Sequence, residues 1–117
     1  MKPLIHARSS AAKFGGVPED YQKIHDWFDH SKMTLADVRH RAILHSSFGI
    51  YLAEEVFGTY LVNSEGRQVS IRDIGEQHVM EDLGFIPTVE KWLSGLKIQP
   101  WMNGRRKPVR TKRIPLK

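Results

Sequence analysis

Residues 34–58 read TLADVRHRAILHSSFGIYLAEEVFG, and the way this stretch folds decides the architecture. Thr34 followed three residues later by Asp37 has the form of a capping box, in which a hydroxyl and a carboxylate satisfy the free amides of a helix's first turn. Behind it, Leu35, Val38, Ile43, Leu44, Phe48, Tyr51, Leu52 and Val56 recur at helical spacing over a wide arc. The pattern predicts one long helix over about residues 35–57, stopped by Gly58. A helix apolar on more than one face belongs at the centre, with the others packed around it.

Working outward, Leu4 to Phe14 reads as a short helix ended by Gly15 and Gly16. Pro18, Glu19 and Asp20 suit the first turn of a second helix, since proline lacks an amide that would be orphaned there and carboxylates favour the positive dipole end. Tyr21, Ile24 and Phe28 form its buried stripe, and it should finish near Ser31. On the other side, Tyr60 and Val62, then Val69 and Ile71, alternate about Asn63-Ser64-Glu65-Gly66, the pattern of a hairpin with a four-residue turn. Asp73 with Glu76 suggests a further cap, opening a helix that runs through Leu83 to Gly84. Pro87-Thr88 opens a last short one carrying Val89, Trp92, Leu93 and Leu96. The expectation is a mainly α chain: a single helical domain of about five helices over residues 1–103, a β-hairpin near 59–71, and a flexible basic C-terminal tail over 104–117.

The 117 residues suffice for one core. They include no cysteine, which excludes disulfides, thiolate zinc sites and cysteine nucleophiles. No run approaches the roughly 20 apolar residues needed to span a bilayer, and Met1 to Arg8 lacks a signal-type apolar core. The expected setting is therefore the cytoplasm or a virion, with no membrane partner. No phosphate-cradling loop and no nucleophile elbow around Ser46 and Ser47 is present, so no catalytic residue can be named.

Charge is segregated. Of 18 Lys and Arg, eight (Lys97, Arg105, Arg106, Lys107, Arg110, Lys112, Arg113, Lys117) fall in the last 21 residues, which hold none of the 13 Asp and Glu. Arg105, Arg106, Lys107, Arg110, Lys112 and Arg113 are the candidates for contacting nucleic acid or an acidic protein surface. Were those six each to neutralise a phosphate on duplex DNA, the binding constant would fall with salt at a log–log slope of roughly −5.

Six histidines raise a second question, whether any share a metal. Residues three or four apart lie on one helical face, so His25 pairs with Asp29, and His78 with Glu81 and Asp82. His40 and His45, about 140° apart on one helix, cannot cooperate. The candidate ligand set is His25, Asp29, His45 and His78, three nitrogens and one oxygen suited to Zn, Mn or Fe. Glu81 or Asp82 would orient a ligand histidine from behind. Against this stands the ordinary alternative, half-buried histidines bonded to nearby carboxylates.

Four phrases, Lys13-Phe14-Gly15-Gly16-Val17-Pro18-Glu19-Asp20-Tyr21, Ile24-His25-Asp26-Trp27-Phe28-Asp29, Asp37-Val38-Arg39-His40-Arg41-Ala42-Ile43-Leu44-His45 and Ile74-Gly75-Glu76-Gln77-His78-Val79-Met80-Glu81-Asp82-Leu83-Gly84, resemble in order those of small phage and bacterial proteins grouped as domain-of-unknown-function family 6915. The likeness runs from about Pro3 to Met102. It implies a phage or bacterial setting and no assigned activity, and the basic extension lies outside it. The sequence thus favours a small non-enzymatic accessory protein whose basic arm binds a polyanion. The alternatives are a His/carboxylate metal protein, such as a metal-dependent hydrolase, and a structural virion or host-factor-binding protein anchored by exposed Trp27 and Trp92.

Overall fold

The computed structural model describes residues 1–105. Among the described residues are six α-helices and a two-stranded antiparallel hairpin: α1 (Pro3–Phe14), α2 (Gln22–Asp29), α3 (Arg41–Leu44), α4 (Ser47–Phe57), β1 (Tyr60–Val62), β2 (Gln68–Ser70), α5 (Ile71–Leu83) and α6 (Val89–Leu93). Single 3-10 turns at Pro18–Asp20 and His30–Met33 extend α2 on both sides, and another at Val38–His40 leads into α3. The mainly α reading with one hairpin holds. Among the described residues no helix is long and apolar enough to cross a membrane.

The stretch 34–58 is not one helix. Thr34 closes the preceding 3-10 turn, donating through its hydroxyl to the Ser31 carbonyl, while Asp37 alone caps the next one by accepting from the Arg39 amide. The helix then stops again after Leu44: His45 (ψ 67°) and Ser46 (φ −153°, ψ 169°) leave the helical region. Ser46 Oγ accepts from the Gly49 amide at 3.0 Å and starts α4 afresh, the usual service of a serine N-cap. The break turns His45 inward, to complete burial.

Nor is this stretch central. Val38, Ile43, Phe48, Tyr51 and Val56 are exposed, and α4 buries only Gly49, Ile50 and Ala53. The central element is α5, which buries Ile71, Ile74, Gly75, Gln77, His78 and Val79 and packs against α1, α2, α4 and the hairpin. Its cap is Ser70, whose hydroxyl accepts from the Asp73 amide, and Gly84 ends it in the left-handed region at φ 81°. Small residues allow close approach here: a methyl on Gly75 would stand 3.0 Å from Phe28 Cζ and 3.3 Å from Ile50 Cγ2.

The α2 stripe is as expected, with Tyr21, Ile24 and Phe28 all buried, each side chain contributing about 1.5–3 kcal/mol by leaving water. They join Ala7, Phe14, Ile50, Ala53, Val69, Ile71, Ile74 and Val79 in one core. The hairpin pairs Leu61 with Val69 and is tied to the α1–α2 corner: Asn63 Nδ2 donates to the Phe14 carbonyl and to Tyr21 Oη, and Asp20 Oδ2 accepts from the Ser64 amide and hydroxyl. Trp27 and Trp92 are not free anchors. Trp27 packs edge-on against Phe28 and Phe57, and Trp92 Nε1 donates to the His45 carbonyl at 2.7 Å. Of the basic candidates Arg105 is exposed, whereas Arg106, Lys107, Arg110, Lys112 and Arg113 lie outside the described residues.

Candidate metal centre

A face of α5 that should be apolar is not. Gln77, His78, Glu81 and Asp82 follow one another at helical spacing, and His78 and Gln77 are buried with the core. Three neighbours answer them with polar groups: α1 brings His6 and Ser10, α2 brings His25 and Asp29, and the corner between α3 and α4 brings His45. Four imidazoles, His6, His25, His45 and His78, have no exposed surface at all. A cluster of this kind is costly to desolvate unless each group is paired.

The centre of the cluster is Asp82, whose side chain is 1 % exposed. Its Oδ2 accepts from His45 Nε2 at 2.8 Å and lies 3.3 Å from His78 Nε2. Asp29 Oδ1 stands 3.7 Å from His45 Nε2 and 3.5 Å from His78 Nε2. All four donor atoms fall within 4.8 Å of one another. Metal–ligand bonds of about 2.0–2.1 Å place neighbouring donors roughly 2.9 Å apart around an octahedral ion and roughly 3.3 Å apart around a tetrahedral one. The observed separations bracket both values, so Asp29, His45, His78 and Asp82 suit a shared ion, two nitrogens and two oxygens.

On the far side of Asp82, Oδ1 meets His6 Nε2 at 3.2 Å and the Arg41 guanidinium at 3.8 Å. His6 Nδ1 is 2.7 Å from Glu81 Oε1, and Ser9 donates to the other Glu81 oxygen. Behind His78, its Nδ1 lies 2.9 Å from His25 Nδ1, and His25 Nε2 lies 2.7 Å from Ser10 Oγ.

The electrostatics follow from these contacts. Burial opposes ionisation of Asp82, yet the hydrogen bond from His45 and the nearby His6 and His78 hold its carboxyl far below the usual range. Asp29 is lowered in the same contest, burial being outweighed by His78 and His45. Burial pushes His25 down to about 3, with the nearby His78 and His6 adding to it, and burial also lowers His45 against the pull of Asp82. His6 goes the other way: burial would lower it, but the carboxylates of Asp82 and Glu81 beside it raise it. Two carboxylates thus stay ionised beside the neutral imidazoles of His25 and His45, and the cations at Asp82, the N-terminal ammonium at 3.1 Å and Arg41 at 3.8 Å, both stand on its Oδ1.

Among the described residues, the buried side-chain nitrogens and oxygens without a hydrogen-bond partner are His6 Nε2, Asp29 Oδ2, His45 Nδ1 and His78 Nε2. Every one of them belongs to this cluster. Buried polar atoms are normally paired, so four orphans in one cluster call for a physical cause: strain, a chemical role, or a bound water or ion.

The structure therefore brings Asp29, His45 and His78 together and adds Asp82. His25 stands one layer behind, against His78 Nδ1, grouped with His6 and His78. Asp82, read from sequence as an orienting residue, has the position of a ligand, and its i, i+4 spacing from His78 was the available signal. His6 had a weaker one, sharing a helical face with Ala7, Ser10 and Phe14. His30 is exposed, and His40 bonds Ser31 Oγ at 2.9 Å, its ring edge-on to His45 with centroids 6.3 Å apart.

Fold and centre together define a small helical protein with a buried His/carboxylate cluster spanning four elements. Residues 1–102 match the family model described as Domain of unknown function (DUF6915), and the chain belongs to that family. No curated protein and no solved structure matches it.

Proposed function

We propose that the chain is a metal protein in which Asp29, His45, His78 and Asp82 hold one divalent transition-metal ion, with Zn, Mn and Fe as the candidates. The observation that carries this reading is His78 Nε2, fully buried, unpartnered, and facing two ionised carboxylates and a second imidazole. A dication at that point neutralises both carboxylates and gives the orphaned nitrogen its partner. Four protein donors and near-complete burial match closed, structural sites rather than catalytic sites, which keep a position open to solvent. The ion's role is then to pin α2, the α3–α4 corner and α5 to one another, so that the loaded chain presents a fixed surface.

The test is thermal unfolding of the full chain stripped with chelator, with and without added Zn²⁺, Mn²⁺ or Fe²⁺. Free metal a hundredfold above its dissociation constant stabilises by about 2.7 kcal/mol, which for a domain of this size raises Tm by roughly 10 °C. A Tm unmoved by all three ions would remove the proposal.

A second reading concerns the basic run. The concentration of eight cations with no carboxylate in the last 21 residues supports contact with nucleic acid or another polyanion, in a phage or bacterial setting. The two readings are compatible, the metal-braced body serving as platform. Removing residues 104–117 should abolish salt-sensitive retention on nucleic acid, and unchanged retention would refute the arm's role.

A further inference from the structure

The hydrogen bonds behind the centre run in one direction, and that direction can be followed proton by proton. Gln77 Nε2 donates to the His6 carbonyl at 3.0 Å and to Glu81 Oε1 at 3.1 Å. Both partners are acceptors only, which fixes the amide: the flipped orientation would set its oxygen against two other oxygens. Gln77 Oε1 therefore faces Ser10 and accepts its hydroxyl proton at 2.5 Å. Having spent its single proton, Ser10 Oγ must accept from His25 Nε2. A neutral His25 then has a bare Nδ1, which must accept from His78 Nδ1–H. Neutral His78, its proton committed on Nδ1, is left with a lone pair on Nε2, the atom that points between Asp29 and Asp82.

We infer that Glu81, Gln77, Ser10 and His25 form a tautomer lock that keeps the proton of His78 on Nδ1 and so presents Nε2 as a metal donor. This rests on the metal reading of the same centre. None of Gln77, Ser10 and His25 need touch the ion; they are positioning residues. An isolated imidazole prefers neither arrangement strongly, and beside two carboxylates the His78 proton would otherwise settle on Nε2, donate to them and block the ion. The lock reverses that preference by offering a better-organised acceptor on the opposite side. Without it His78 would join the ion only after a tautomer shift. Groups that orient a ligand histidine in this way typically govern metal affinity by about 10- to 100-fold.

The lock also explains why polar side chains occupy the interface of α1, α2 and α5, where Ala7, Ile24 and Ile74 pack nearby. Ser10 and Gln77 are 0 % and 5 % exposed. Their hydrogen bonds are satisfied by one another, by His25, by the His6 carbonyl and by Glu81, so the chain of bonds is complete except at its last atom, His78 Nε2.

The direct test is two-bond ¹⁵N–¹H correlation of the histidine rings in full-length, metal-free protein. His78 should show the Nδ1–H form and His25 the Nε2–H form. In Ser10→Ala, His25 loses its acceptor and His78 should move to the Nε2–H form, with Zn²⁺ affinity by calorimetry falling about 10- to 100-fold at an unchanged one-site stoichiometry. Ser10→Thr, which keeps the hydroxyl, should restore both. A wild-type His78 protonated on Nε2 in the metal-free protein would overturn the lock, and this result needs no variant to fold. So would Ser10→Ala that binds Zn²⁺ as tightly as wild type. Wild-type protein that shows the expected tautomers and binds no metal would instead overturn the metal reading and, with it, the purpose assigned to the lock.

Discussion

Gly49→Ala probes the link between the helix break and the centre. Gly49 sits in the first turn of α4, its amide bonded to Ser46 Oγ. A methyl there would fall inside the van der Waals envelope of the Leu44 carbonyl and 2.8 Å from Leu44 Cα. The obstruction is backbone, with no flexible side-chain end to swing away, so the cost belongs at the upper end of overpacking penalties, about 3 kcal/mol. For a domain of this size that lowers Tm by roughly 10 °C. Relief requires α3 and α4 to separate, and the residue that moves with Leu44 is His45. Zn²⁺ affinity should therefore drop by about tenfold or more, the scale seen when a ligand's support is removed. Gly58→Ala is the control: its φ of 93° makes a side chain strained, yet no heavy atom lies within 4 Å of the added methyl. It should cost about 1–2 kcal/mol and leave metal affinity alone. The assay is thermal unfolding and zinc calorimetry on both variants in parallel. Gly49→Ala with wild-type stability and affinity would refute the argument that the corner is held by this contact.

Asp82→Asn removes the carboxylate on which His6, His45 and His78 converge, and Zn²⁺ affinity should fall at least about 100-fold, beyond the range for outlying residues; a change under tenfold in calorimetry would show that Asp82 is not a ligand. In metal-free protein, acid should destabilise early. His25 is held at about 3 against an ordinary 6.5, so between those values the unfolded chain takes a proton that the folded chain refuses. Its contribution is fully present above pH 6.5 and is lost as pH falls, by at most about 1.4 kcal/mol per pH unit. His45 has the same sign and His6 the opposite one, its contribution being full below 6.5 and lost as pH rises through its raised value. Urea unfolding of wild type and His25→Gln between about pH 7 and 5 reads the difference; identical slopes would contradict a neutral buried His25.

Local signals in the sequence located most elements because each acts within a few residues. Gly15 and Gly84 end helices at positive φ, Thr88 caps α6 through the Lys91 amide, and Tyr21, Ile24 and Phe28 bury one face of α2. The long helix over 35–57 failed for a physical reason. The apolar arc ran unbroken through Leu44 and Phe48, while the competing signal, Ser46 as a cap with Gly49 three residues on, is compact and easily outvoted by periodicity. Phe48, Tyr51 and Val56 then lie exposed, so apolar spacing alone misjudged which helix is central. Helical spacing tied His78 to Asp82 and His25 to Asp29, since both pairs lie within single helices. The meeting of α1 with α5, which sets His6 against Glu81 and Ser10 against Gln77, joins residues more than sixty positions apart, and no local pattern reports that.

Elemental analysis of full-length protein, expressed with Zn, Mn and Fe supplied and then gel-filtered, tests the central claim most directly. About one ion per chain is expected in wild type, with near-complete loss in the Asp29→Asn, Asp82→Asn double variant. Wild-type protein carrying no more metal than that variant would contradict the account.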